Sequence, residues 1–140
     1  MAKELINIFI LNHGEFGESI VKSAEMIAGK IDDIYVFSLK KDMSLEEMIE
    51  NVESKFKSVN GKKILLTDIF GGTPNNVAMY LKHKYQCHVI SGFNLAMILE
   101  LVLSRDNQEK TIDQMVNDSI AAAIESIKNQ EIPSNLELDF

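Results

Sequence analysis

Short apolar runs alternate with helix-patterned segments along this chain, and that alternation limits the folds open to it more than any other feature. Leu5-Ile6-Asn7-Ile8-Phe9-Ile10-Leu11 is short, apolar and rich in β-branched residues, as a buried strand is. Ile34-Tyr35-Val36-Phe37, residues 64–68 and His88-Val89-Ile90 repeat the pattern. The segments between them have helical spacing. Residues 18–29 carry Ile20, Val21, Ala24 and Ile27 on one face, and Gly29 is placed to end the helix. Ser44, followed at the third position by Glu47, forms a capping box for a helix reaching about Lys57. Thr73-Pro74 opens a third helix, with threonine as cap and proline where no N–H is needed. Asn94 opens a fourth, to about Leu103, and Thr111 a last one, to about Asn129. Strands that are apolar on both sides need cover on both sides. The expected fold is therefore α/β: a doubly wound, mainly parallel sheet of four strands with helices on each face. After Pro133, Leu136, Leu138 and Phe140 alternate with Glu137 and Asp139. That tail (residues 135–140) reads as an extra antiparallel edge strand, which can pair with its own sheet or be exchanged with a second copy in a homodimer.

Composition narrows the function. The chain has 140 residues, 46% of them hydrophobic and 25% charged, which suits a single domain over residues 1–140. Its formal charge of −7 and lack of a basic cluster argue against nucleic acid. Cys87, the lone cysteine, has no disulfide partner in the chain and suits a reducing, cytoplasmic setting. The apolar run over residues 8–11 falls far short of the ~20 residues that cross a bilayer, so direct membrane insertion is not expected. It also lacks the layout of a signal peptide. His83 and His88 flank Cys87 without the spacing of a metal site, so neither a metal nor a cofactor is expected.

In open parallel sheets, ligands bind beyond the carboxyl ends of the strands. The loops expected there hold Asn12-His13-Gly14-Glu15-Phe16-Gly17 after the first strand and Asp68-Ile69-Phe70-Gly71-Gly72-Thr73-Pro74 after the third. Taken singly, His13 could be a turn residue, Asp68 a local hydrogen-bond acceptor, and Gly71-Gly72 a tight turn. Taken together they carry chemistry. An imidazole accepts a phosphoryl group at one unprotonated nitrogen, while a carboxylate on the other nitrogen fixes the tautomer and offsets charge developing on the ring. Asp68 is the candidate for that carboxylate. Backbone N–H groups of Gly71 to Thr73, at a helix start, could hold the phosphoryl oxygens, and the Thr73 hydroxyl could add one more bond. No Arg or Lys stands in these motifs, which fits a transient carrier better than a tight nucleotide site. Phe16, Phe70 and Phe93 on the rim loops are candidates for an apolar collar where partners dock.

At these positions the chain resembles a known family. The similarity runs through Asn12-His13-Gly14, Ser23-Ala24-Glu25-Met26-Ile27-Ala28-Gly29, Thr67-Asp68-Ile69-Phe70-Gly71-Gly72-Thr73-Pro74-Asn75-Asn76 and Ile90-Ser91-Gly92-Phe93-Asn94. It covers about residues 5–130. These segments look like the enzyme IIA domains of the mannose-class sugar phosphotransferase system. The resemblance implies that His13 is the phosphorylated histidine, that Asp68 is its partner and that Gly71-Gly72-Thr73 cradles the phosphoryl group. It further implies phospho-HPr as donor, enzyme IIB as acceptor, no metal, and dimers that exchange a C-terminal strand.

Three other functions compete. His13-Gly14-Glu15 after a first strand echoes histidine phosphatases, but those clamp phosphate with arginines, and here Asn12 stands where one would be expected. Arg105 is the only arginine in the chain. A related domain could instead supply phosphate to a dihydroxyacetone kinase, usually as part of a longer fused chain. A regulatory module that reads phosphorylation state would keep the same histidine.

Overall fold

The computed structural model describes residues 4–135. Its elements alternate as β1 (Ile6–His13), α1 (Phe16–Ala28), β2 (Ile34–Leu39), α2 (Leu45–Ser58), β3 (Lys62–Thr67), α3 (Gly72–Lys84) and β4 (His88–Ser91). Two helices follow, α4 (Leu95–Ser104) and α5 (Ile112–Glu125). The four strands form one sheet in the order β2-β1-β3-β4, with every neighbouring pair parallel. The chain starts in the middle of the sheet, steps outward to β2, then crosses back to β3 on the other side of β1. The winding reverses at that crossing, so the loops leaving β1 and β3 diverge to opposite faces. In sheets wound this way, such a reversal is where the ligand crevice lies, here at the carboxyl ends of β1 and β3.

Side-chain alternation builds a core on each face. Ile6, Ile8 and Ile10 join Ile64, Leu66 and Ile90 against Ala24 of α1, Ile98 and Leu101 of α4 and Met115 of α5. Phe9, Leu11 and Leu65 point the other way, onto Met48, Val52 and Phe56 of α2 and Val77, Ala78 and Leu81 of α3. Burial on both faces is what made the strand runs continuous rather than alternating in sequence. Phe9 centres the second core, with ring centroids of Tyr35, Phe37 and Phe56 at 5.4, 5.7 and 5.7 Å. Among the described residues no helix is long and apolar enough to cross a membrane.

Several boundaries differ from the sequence expectation, each for a local reason. α2 starts where its cap predicts, the Ser44 hydroxyl accepting from the Glu47 N–H at 3.1 Å. α3 starts earlier than expected. Thr73 is not its cap; Gly71 is, and Thr73 and Pro74 fall inside the first turn. α5 ends at Glu125 rather than near residue 129. There the Ser126 hydroxyl donates back to the Ala123 carbonyl at 2.7 Å and accepts from the Asn94 amide at 3.2 Å, bonds that compete with another helical turn. The expected strand over residues 135–140 falls almost wholly outside the described residues, which end at residue 135. Among the described residues, β4 pairs only with β3 and so presents an edge.

Arg105 closes the end of the sheet opposite the crevice. Its guanidinium donates to the carbonyl of Ile6 at 3.4 Å and of Asp33 at 3.2 Å, and also to the carbonyl of Asp32. One side chain thus ties the end of α4 to the start of β1 and to the turn before β2. Arg105→Leu is expected to cost about 2 kcal/mol, the size of a hydrogen-bond set made by a charged donor. For a domain of this size that is a fall in Tm of roughly 4–8 °C. An unchanged melting curve would show that the guanidinium contributes nothing there.

Candidate functional site

His13 is the last residue of β1 and the first of that strand to leave the core. The turn after it is built by its neighbours. The buried Asn12 amide donates to the carbonyls of His13 at 3.1 Å and Gly14 at 2.9 Å, and Gly14 turns the chain at φ +58°. Room for that amide requires Gly17 on α1, where a Cβ would collide with Asn12 Oδ1. Asn12 and Gly17 are thus a matched pair under the histidine. Neither role was legible in sequence, because only the fold brings them together.

Asp68 leaves β3 beside this turn. Its Oδ2 accepts the backbone N–H of His13 at 2.9 Å and lies 2.8 Å from His13 Nδ1. Two contacts from one oxygen to one residue fix both the turn and the ring. The imidazole remains about half exposed (49%), whereas the carboxylate is largely covered (12%). With Nδ1 donating to Asp68, Nε2 carries the free lone pair.

The start of α3 faces that second nitrogen. A Cβ on Gly72 would sit 3.6 Å from His13 Cε1 and 3.8 Å from Nε2. Gly71 holds φ +80° and ψ −178°, a conformation essentially restricted to glycine, and no side chain caps the helix. The first turn carries no acidic residue, and Pro74 at its third position brings no N–H. No side chain caps the N–H groups at this helix start, which lies beside Nε2; uncapped helix N-termini are places where anions bind. Gly71→Ala is expected to cost about 1–3 kcal/mol in backbone strain. Chemical denaturation reads that cost; an unchanged midpoint would mean that the turn tolerates a side chain.

The three rim phenylalanines differ in position. Phe70 is 84% exposed and Phe16 46% exposed. Phe93 is buried, stacked on Phe16 at a centroid distance of 5.3 Å. Its ring therefore supports Phe16 from below instead of forming part of an exposed collar. Ile69, 57% exposed beside Phe70, was missed in the sequence. The available signal was an isoleucine and a phenylalanine in a row just before a glycine pair, outside any strand or helix period.

The other histidines lie elsewhere. His83 is in the last turn of α3, and His88 Nε2 pairs with Asp113 Oδ1 at 3.2 Å. Burial pushes the Cys87 thiol pKa up, the direction opposite to that of an activated cysteine. Among the described residues no three His, Cys, Asp or Glu side chains cluster as metal ligands would. Arg105 is engaged at the start of β1, at the other end of the strand from His13, so it cannot clamp a phosphate as a histidine phosphatase requires.

Comparison with known proteins agrees with this architecture. The chain is 28% identical over 128 residues to the mannose-specific EIIAB component of Escherichia coli strain K12, covering 88% of this chain and 39% of that one. It thus spans well under half of that relative. A crystal structure of phosphotransferase system component EIIA from Streptococcus agalactiae superposes with a TM-score of 0.82 at 33% identity, covering 89% of this chain and 97% of that one. The mannose/sorbose-specific IIA subunit from Enterococcus faecalis gives a TM-score of 0.83 at 25% identity, covering 97% and 100%. Residues 7–130 match the family model described as the PTS system fructose IIA component, and the chain belongs to that family.

Proposed function

We propose that this chain is a phosphocarrier domain of a sugar phosphotransferase system, accepting a phosphoryl group on His13 and passing it on. One observation carries the proposal: Asp68 Oδ2 lies 2.8 Å from His13 Nδ1, which leaves Nε2 beside the uncapped start of α3. By family resemblance the donor is phospho-HPr and the acceptor an enzyme IIB. The Nε2 lone pair attacks phosphorus as the P–N bond of the donor histidine breaks, and its electron pair stays on the donor ring. The ring proton on Nδ1 stays in place, and Asp68 offsets the positive charge that the ring gains. The phosphoryl group passes through a loose transition state, so positioning and aimed N–H donors supply most of the catalysis. Onward transfer to the acceptor repeats the step in reverse order.

Phe70, Ile69 and Phe16 provide an apolar rim on which partner proteins seat, around a centre that stays accessible. The edge that β4 presents among the described residues is where a strand from a second copy would add, which supports the homodimer suggested by the tail. No metal or cofactor is required by any step. Incubation with phosphoenolpyruvate, enzyme I and HPr is expected to add one acid-labile phosphoryl group per chain. Failure to take up any label under conditions that charge HPr would overturn the proposal.

A further inference from the structure

We propose that Thr67 and Asn75 are positioning residues for phosphoryl transfer at His13, acting through a buried hydrogen bond that closes the loop between them. The inference rests on the carrier function proposed above. Thr67 ends β3 and Asn75 lies in the first turns of α3. The Thr67 hydroxyl donates to Asn75 Oδ1 at 2.9 Å, and both residues are buried. The loop they close contains the Asp68 carboxylate and the N–H groups of Gly71, Gly72 and Thr73.

Little else fixes that loop. Ile69 and Phe70 point to solvent, and Gly71 and Gly72 have no side chain to bury. Asp68 itself is anchored through His13, the group whose position is in question. Buried anchoring comes from the two ends, where Pro74 and Asn75 sit on one side and Thr67 on the other. Thr67 is also tied across the sheet, its carbonyl accepting from Gly92 N–H at 2.8 Å and Phe93 N–H at 3.4 Å. The clasp therefore sets the distance from the carboxylate to the helix start, between which the imidazole must fit. Misplacing a reacting group by about 1 Å can cost on the order of 10²-fold in rate.

Thr67→Val keeps the shape of the side chain and removes its hydroxyl. Charging by phospho-HPr, followed by rapid quench, gives both a rate constant and a final stoichiometry. The Thr67→Val chain is expected to charge about tenfold more slowly, consistent with partial loosening of the loop, yet to reach one phosphoryl per chain. Thr67→Ser, which keeps the hydroxyl, should restore most of the rate. Asn75→Leu breaks the same bond from the helix side and should match Thr67→Val, which guards against one variant failing to fold. A lower final stoichiometry with an unchanged rate constant would mean a purely structural role and would overturn the proposal. So would a wild-type rate in both variants, while the carrier function itself stands. If the wild-type chain takes up no phosphoryl group, the carrier function fails and this proposal fails with it.

Discussion

The His13→Ala chain is expected to take up no phosphoryl group from phospho-HPr, while His83→Ala and His88→Ala charge as the unmodified protein does. The loss should be complete, because the substitution removes the only imidazole at the crevice. The other two histidines are in the last turn of α3 and at the start of β4, paired there with Asp113. Loss of fold should not confound the result. The His13 side chain is half exposed, and the backbone N–H that Asp68 accepts at 2.9 Å survives truncation. Losing the side-chain contact to Asp68 is expected to cost about 1–2 kcal/mol, a minor part of the stability of a domain of this size. Acid-labile label retained in His13→Ala, or lost in either control, would move the reactive group elsewhere.

Asp68→Asn should give the second largest effect, a fall in charging rate on the order of 10²–10⁴-fold with the fold intact. The amide has the shape of the carboxylate but not its charge. It no longer offsets the positive charge on the phosphorylated ring, and it can donate to Nδ1, which moves the ring proton to Nε2 and blocks the attacking lone pair. The geometry leaves the amide no good orientation, since the same Oδ2 position serves both the ring at 2.8 Å and the backbone N–H at 2.9 Å. An amide oxygen placed there keeps both contacts without the charge, and an NH₂ placed there loses the backbone bond. Rapid-quench charging kinetics measure the effect. A wild-type rate in Asp68→Asn would remove the carboxylate from the mechanism.

Much of the fold was legible in sequence because it is written locally. The runs at Ile8–Leu11 and Ile64–Leu66 are apolar on both faces, and Ser44 with Glu47 marks a helix start that the structure keeps. Where local signals competed, the sequence misled. Thr73-Pro74 looks like a cap and first turn, but glycines at positive φ already open the helix upstream. Ile127 continues the apolar spacing of Ile120 and Ile124 past the point where Ser126 bonds back to the Ala123 carbonyl and the helix stops.

The site divides the same way. His13 and Asp68 stand at the ends of strands that could be read off the chain. Their contact, however, depends on β1 lying beside β3, which only the strand order decides. Loop residues carry no period, so nothing local separated the buried Phe93 from the exposed Phe70. The Thr67–Asn75 bond spans the whole loop and leaves no pattern in the sequence at all.

Which ring nitrogen carries phosphorus can be read by nuclear magnetic resonance of the ¹⁵N-labelled, phosphorylated protein, through the shifts of the two imidazole nitrogens and their coupling to ³¹P. Phosphorus is expected on Nε2 of His13, with Nδ1 still protonated and bonded to Asp68. Phosphorus on Nδ1, the nitrogen that lies 2.8 Å from the carboxylate, would contradict the mechanism.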